Sequence, residues 1–257
     1  MAGHPDASQS FGVGRVLQTG FAVWFRNLIP FLLITALFYA LPWIWAVSVV
    51  HGEHTVKTLA AAYQAFAIAT LLTIPLNVFV AATLTYGVVM ELHGQRASFG
   101  ACIATGLVRF LPAFGVGLLT WLCVGLASLA LVVPGIIVLC ILYVSTPVSV
   151  VERPGIMAAL SRSADLTQGR RASIFGLVLL LVVANVLSTW FVRILAVSPH
   201  PTTIEAVFGN LSRLIYFSFA HQVITGSISA VMTSVSYYYL RLEKEGTSTA
   251  DLAAIFA

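Results

Sequence analysis

The side chains able to do acid–base or ligand chemistry are scarce in this sequence. Its 257 residues include 9 Asp or Glu, 13 Lys or Arg and 6 His. The one close histidine pair is His51-Gly52-Glu53-His54. Two imidazoles and a carboxylate are metal-ligand types, but a metal centre needs them held by a scaffold. A short connecting loop supplies none, so no metal is assigned. The cysteines Cys102, Cys123 and Cys140 are scattered and form neither a metal-type spacing nor a disulfide framework. The sequence has no paired-carboxylate site, GxSxG elbow, HExxH helix, phosphate-binding loop or dinucleotide fingerprint. An enzyme acting on lipid headgroups would have to assemble its site from Glu152, Arg162, Asp165 and Glu91 or His93. No catalytic residue and no cofactor is assigned.

Two groups of residues carry some chemical interest. The first is the charged stretch from Glu152 to Arg171. Its Arg153, Arg162, Arg170 and Arg171 can hold a phosphate or an anionic lipid headgroup, with Glu152 and Asp165 orienting them. The competing explanation is a topology anchor with local ion pairs and a helix stop at Gly169, and it is preferred. The second group lies within apolar runs: Asn77, Asn185, His221 and Gln222, with hydroxyls at Thr225, Ser227, Ser229, Thr233, Ser234 and Ser236. Polar groups inside a membrane often mark a solute pathway. They also serve interhelical hydrogen bonding and close packing, here beside Gly226 and Ala230, and packing is preferred.

The elements that position these residues follow from composition. Hydrophobic residues make up 59% of the chain and charged residues 9%, where soluble domains carry about 25% charged. The apolar stretches are long and continuous rather than alternating, so helices are expected and not a barrel. A bilayer core takes about 20 helical residues. Uncharged runs then give six spans, at about 28–50, 67–90, 112–132, 135–151, 172–197 and 214–240. The run from Phe110 to Val151 holds no charge over 42 residues. That is about 63 Å if wholly helical, so Val132-Val133-Pro134-Gly135 is read as a tight hairpin turn. Pro75 and Asn77 mark an expected kink in the second span. The polar residues Met1–Ser10 are not a cleavable signal, and residues 241–257 are expected to be a tail.

With the N-terminus inside, the inner segments hold Arg15, Arg26, Arg96, Arg109 and Arg153, together with Arg162, Arg170, Arg171, Arg241 and Lys244. The outer segments hold only Lys57, Arg193 and Arg213. The positive-inside rule therefore puts both ends in the cytoplasm, and Arg193 is read as a snorkelling anchor. The net charge of +4 is a topology signal and not a nucleic-acid footprint.

A unit recurs along the chain. Ser10-Phe11-Gly12 leads to Thr19-Gly20 and Leu28-Ile29-Pro30. Ser98-Phe99-Gly100 leads to Thr105-Gly106 and Phe110-Leu111-Pro112. A third copy runs from Pro154-Gly155 to Gln168-Gly169. Val13, Val16, Leu17, Phe21 and Trp24 share one helical face, as do Phe99, Cys102, Ile103, Leu107 and Phe110. The expected architecture is an all-α membrane protein: six transmembrane helices as three hairpins, each preceded by a cytoplasmic interfacial amphipathic helix.

The distinctive part of the sequence comprises Leu131-Val132-Val133-Pro134-Gly135-Ile136-Ile137, Thr146-Pro147-Val148-Ser149-Val150-Val151-Glu152, and Ala159-Leu160-Ser161-Arg162-Ser163-Ala164-Asp165-Leu166-Thr167-Gln168-Gly169-Arg170-Arg171. This pattern resembles the bacterial glycerophosphoryl diester phosphodiesterase membrane domain family and related six-span inner-membrane proteins. The resemblance implies a bacterial cytoplasmic-membrane location. It transfers no catalytic residue, because the catalytic phosphodiesterase domain fused to some members has no counterpart here. The first functional expectation is a non-catalytic membrane module associating with membrane lipids, anionic ones included, or with a protein partner or second copy. The alternatives are a small-solute transporter or exporter, and an enzyme of lipid headgroups.

Overall fold

A computed structural model describes residues 11–51, 54–95, 98–198 and 202–246. Among these residues the chain is helical, with no strand. The helices are α1 (Val13–Arg26), α2 (Leu28–Val50), α3 (Val56–Leu92), α4 (Phe99–Ala130), α5 (Val132–Ile141), α6 (Ser145–Val151), α7 (Ile156–Thr167), α8 (Arg171–Ala196) and α9 (Ile204–Glu245). Among the described residues six helical segments are long and apolar enough to cross a membrane: α2, α3, α4, α5 with α6, α8 and α9. This is an all-α membrane protein with a multi-pass arrangement.

The core forms around α9, which packs against α1, α2, α3 and α8, and around α3, which packs against α2, α4 and α9. Close approach uses small residues, since lipid gives helices no hydrophobic reason to associate. Gly106 of α4 lies against the buried Thr83 of α3, and Gly117 lies against Val78. On α8 the large residues Leu179, Leu187, Trp190 and Phe191 are exposed, which is the surface a lipid-facing helix requires.

The sequence-based boundaries differ from the structure at four places. The turn after the third span falls on a single extended residue, Leu131 (φ −165°, ψ 152°), and Val132-Val133-Pro134 already form the first turn of α5. Proline is tolerated there because the first turn has no intrahelical partner for its missing N–H. The expected fourth span is interrupted between Ile141 and Ser145. The freed carbonyl of Ile141 accepts hydrogen bonds from Ser163 Oγ (2.9 Å) and Thr167 Oγ1 (3.2 Å) of α7, which makes the break tolerable at this depth. The amphipathic stretch from Phe99 runs into the third span as one helix, and the second span begins at Val56, well before its expected start near 67, in one continuous helix. Finally, the sixth span runs from Ile204 to Glu245 as one helix, beginning before its expected start near 214 and taking in the first residues of the expected tail; residues beyond Gly246 lie outside the described set.

Helix α1 is amphipathic, as its spacing predicts, and runs antiparallel to the end of α9. Trp24 Nε1 donates to Ser227 Oγ at 2.9 Å, and Thr19 and Tyr239 hydroxyls lie 2.9 Å apart. The backbone N–H of Phe11 donates to Glu243 at 2.8 Å. Gly20 permits the approach, since a Cβ there would stand 2.5 Å from Met232 Sδ.

Candidate functional site

At the end of the bundle where α9 finishes, the arginines are tied to carboxylates. Glu152 receives Arg162 Nε at 2.9 Å and the Tyr237 hydroxyl at 2.9 Å, with Arg241 at 3.9 Å. Arg162 also pairs with Glu245, which Arg241 holds from one turn away at 2.9 Å. Arg170 pairs with Glu243 at 2.6 Å. Arg162 and Arg170 therefore bind the chain's own α9. Asp165 is exposed and joins none of these pairs, and Glu91 pairs instead with Arg26 at 3.7 Å. Of the group an enzyme would need, only Glu152 and Arg162 meet. Arg171 is exposed beside Ile136, Cys140 and Phe175. Arg153 sits at φ 57°, a left-handed conformation that is uncommon for a residue with a side chain.

His51 and His54 are engaged with their own surroundings. His51 Nδ1 lies 2.9 Å from the Val47 carbonyl, and the His54 ring stacks on Phe208 with centroids 4.4 Å apart. Gly52 and Glu53 fall outside the described residues.

The intramembrane polar residues converge. Asn77 from α3, Asn185 from α8, and His221 and Gln222 from α9 line one cavity of about 480 Å³. Their chemistry differs in a way that bears on use. Asn77 is committed: its Oδ1 accepts from Tyr39 at 2.5 Å and its Nδ2 donates to the Thr73 carbonyl at 2.8 Å. His221 Nε2 lies 2.7 Å from Ser188 Oγ across α8 and α9. Thr189 and Thr225 return their hydroxyls to carbonyls of their own helices. The carboxamides of Asn185 and Gln222 make no hydrogen bond to any described residue. Each offers a carbonyl acceptor and two N–H donors.

Among the described residues the cavity's one cationic lining side chain is Arg193, and no Asp or Glu lines it. Arg193 forms no ion pair among the described residues. Arg213, at the same end of the bundle, is occupied by Asn210 (2.6 Å) and Ser198 (3.1 Å). A second cavity of about 500 Å³ shares Asn185, Thr225 and Ser229 with the first. Sequence reasoning singled out the four polar residues. It missed Tyr39 and Ser188 as their partners and took Arg193 for an anchor alone. The one signal for Ser188 was its place one helical turn from Asn185, on the same face.

Compared with models of known protein families, with curated proteins and with solved structures, the chain has no match.

Proposed function

We propose that this protein takes up a small polar solute in the cavity between α3, α8 and α9 and acts as a solute transporter or exporter. The observation that carries this reading is the pair of carboxamides, Asn185 (exposed) and Gln222 (half-buried), which line an open cavity between apolar helices and have no partner among the described residues. An unsatisfied amide in hydrocarbon costs several kcal/mol, roughly 2–7 by transfer scales. Polar groups kept in that state need water or a solute opposite them. Pure packing would pair them across helices, as Tyr39 pairs with Asn77.

The lipid-association reading loses ground, because Arg162 and Arg170 are neutralised by Glu152, Glu243 and Glu245. Arg171 keeps the character of a headgroup contact. The arginine-rich end is assigned to the cytoplasm by the positive-inside rule. The resemblance noted over Val132 to Arg171 is in keeping with a bacterial inner membrane.

The test is accessibility. In a chain with Cys102, Cys123 and Cys140 replaced by Ala, Gln222→Cys is expected to react with a charged, membrane-impermeant methanethiosulfonate in reconstituted vesicles. A thiol that reacts only after unfolding would show a dry bundle and sink the proposal.

A further inference from the structure

The two cavities adjoin at Asn185, Thr225 and Ser229 and follow a single face of α8. Val178, Leu181, Asn185, Ser188 and Val192 recur at three- or four-residue spacing and line one cavity or the other. From Val178 to Arg193 is 15 residues, about 22 Å of helix against a hydrocarbon core of about 30 Å.

The halves of this groove differ in chemistry. Toward the arginine-rich end its walls are Phe21, Val178, Leu181, Val182, Ile224 and Ile228. Toward the other end they are Asn185, Thr189, His221, Gln222 and Arg193. The charge lies at the far end of the polar half, about 12 Å of helix from Asn185. A cation lining a cavity without a carboxylate wants an anion, and a guanidinium fork matches a carboxylate or phosphate in shape. Between charge and apolar half stand two carboxamides suited to an amide or hydroxyl group.

We infer that the groove binds a single-chain amphiphilic anion. Its carboxylate or phosphate lies at Arg193, its amide or hydroxyl linker at Gln222 and Asn185, and its alkyl chain along Leu181, Ile224 and Ile228. This rests on the solute-cavity reading above and extends its polar solute by a charge and an apolar chain.

The experiment uses the full chain in phosphatidylcholine nanodiscs and an N-acylglycine bearing a diazirine at the end of a ten-carbon chain. Cross-links are expected at Val178, Leu181, Val182, Ile224, Ile228 or Phe21, and excess N-decanoylglycine is expected to remove them. N-Decanoylethanolamine, which lacks the charge, and N-acetylglycine, which lacks the chain, are expected to compete at least about tenfold less well, the loss of one charge-assisted contact or of the chain's burial. Arg193→Gln is expected to lower the yield by a similar factor, and Leu181→Trp to block the chain while leaving the head site intact.

Cross-links scattered over the lipid-facing Leu179, Leu187 and Phe191, and indifferent to Arg193→Gln, would overturn the inference. Equal competition by N-acetylglycine would remove the chain and leave the polar-solute reading standing. Suppression by phosphatidylglycerol nanodiscs at the same potency would assign the site to a two-chain lipid headgroup instead. Failure of the Gln222→Cys labelling would remove the underlying reading itself.

Discussion

The Tyr237 hydroxyl donates a 2.9 Å hydrogen bond to Glu152 Oε1, joining α9 to the turn that follows α6. The same carboxylate holds Arg162 and lies near Arg241, so one acidic residue fastens three partners. Glu152→Gln would leave Arg162 and Arg241 sharing the single carboxylate of Glu245. It is expected to cost about 1–3 kcal/mol, the range for hydrogen bonds to charged groups, read as a lower denaturation midpoint in detergent. Glu243→Gln acts on the more exposed Arg170 and is expected to cost less.

Glycine substitutions separate packing from mere flexibility. A Cβ at Gly106 would collide with Thr83, whereas one at Gly176 meets nothing within 4 Å. Gly106→Ala is expected to destabilise by about 1–3 kcal/mol through overpacking. Gly176→Ala is expected to be neutral or to stabilise by up to about 1 kcal/mol, since glycine inside a helix carries an entropic penalty. Thermal unfolding of both variants in one detergent checks the pair.

The two asparagines should respond in opposite directions. Tyr39→Phe removes the donor to Asn77 and is expected to lower stability by about 1 kcal/mol. Asn185→Leu removes a carboxamide without a partner among the described residues, and is expected to raise the unfolding midpoint while abolishing solute-dependent behaviour. Stabilisation at the expense of activity is the usual signature of a functional polar group. A drop in stability on Asn185→Leu would make it a packing residue.

Orientation has its own readout. Ser98 and Thr202 are both exposed and lie in the turns before α4 and α9. In intact cells, Thr202→Cys is expected to react with an impermeant maleimide and Ser98→Cys only after the membrane is opened. The reverse pattern would invert the topology.

Much of the architecture can be read from where charges are absent. The membrane class and the number of apolar crossings follow from uncharged runs such as Phe110 to Val151, because burying a charge in lipid costs too much for such runs to arise otherwise. The break after Ile141 has no such cue. Leu142-Tyr143-Val144 contains neither glycine nor proline, and what stabilises the break, Ser163 and Thr167, sits on another helix. The candidate site was half legible. Composition marks Asn77, Asn185, His221 and Gln222 as unusual, but whether three helices turn those residues toward one another depends on their rotation, which a short apolar sequence leaves open. Glu152 was legible as a partner of Arg162; Glu243 and Glu245 were not, because they lie past the last apolar residue of the sixth span, where its helix continues.

The interruption at Ile141 also bears on how the chain enters the bilayer. Helix α5 has 10 residues and α6 has 7, and neither reaches across a core that requires about 20. Neither piece has an independent reason to insert, and the carbonyl of Ile141 has no partner until α7 is made. The third and fourth crossings should therefore leave the translocation machinery together, as a loop released only after Thr167 has been synthesised. A ribosome stalled before that point would hold α4, α5 and α6 together at the translocation machinery.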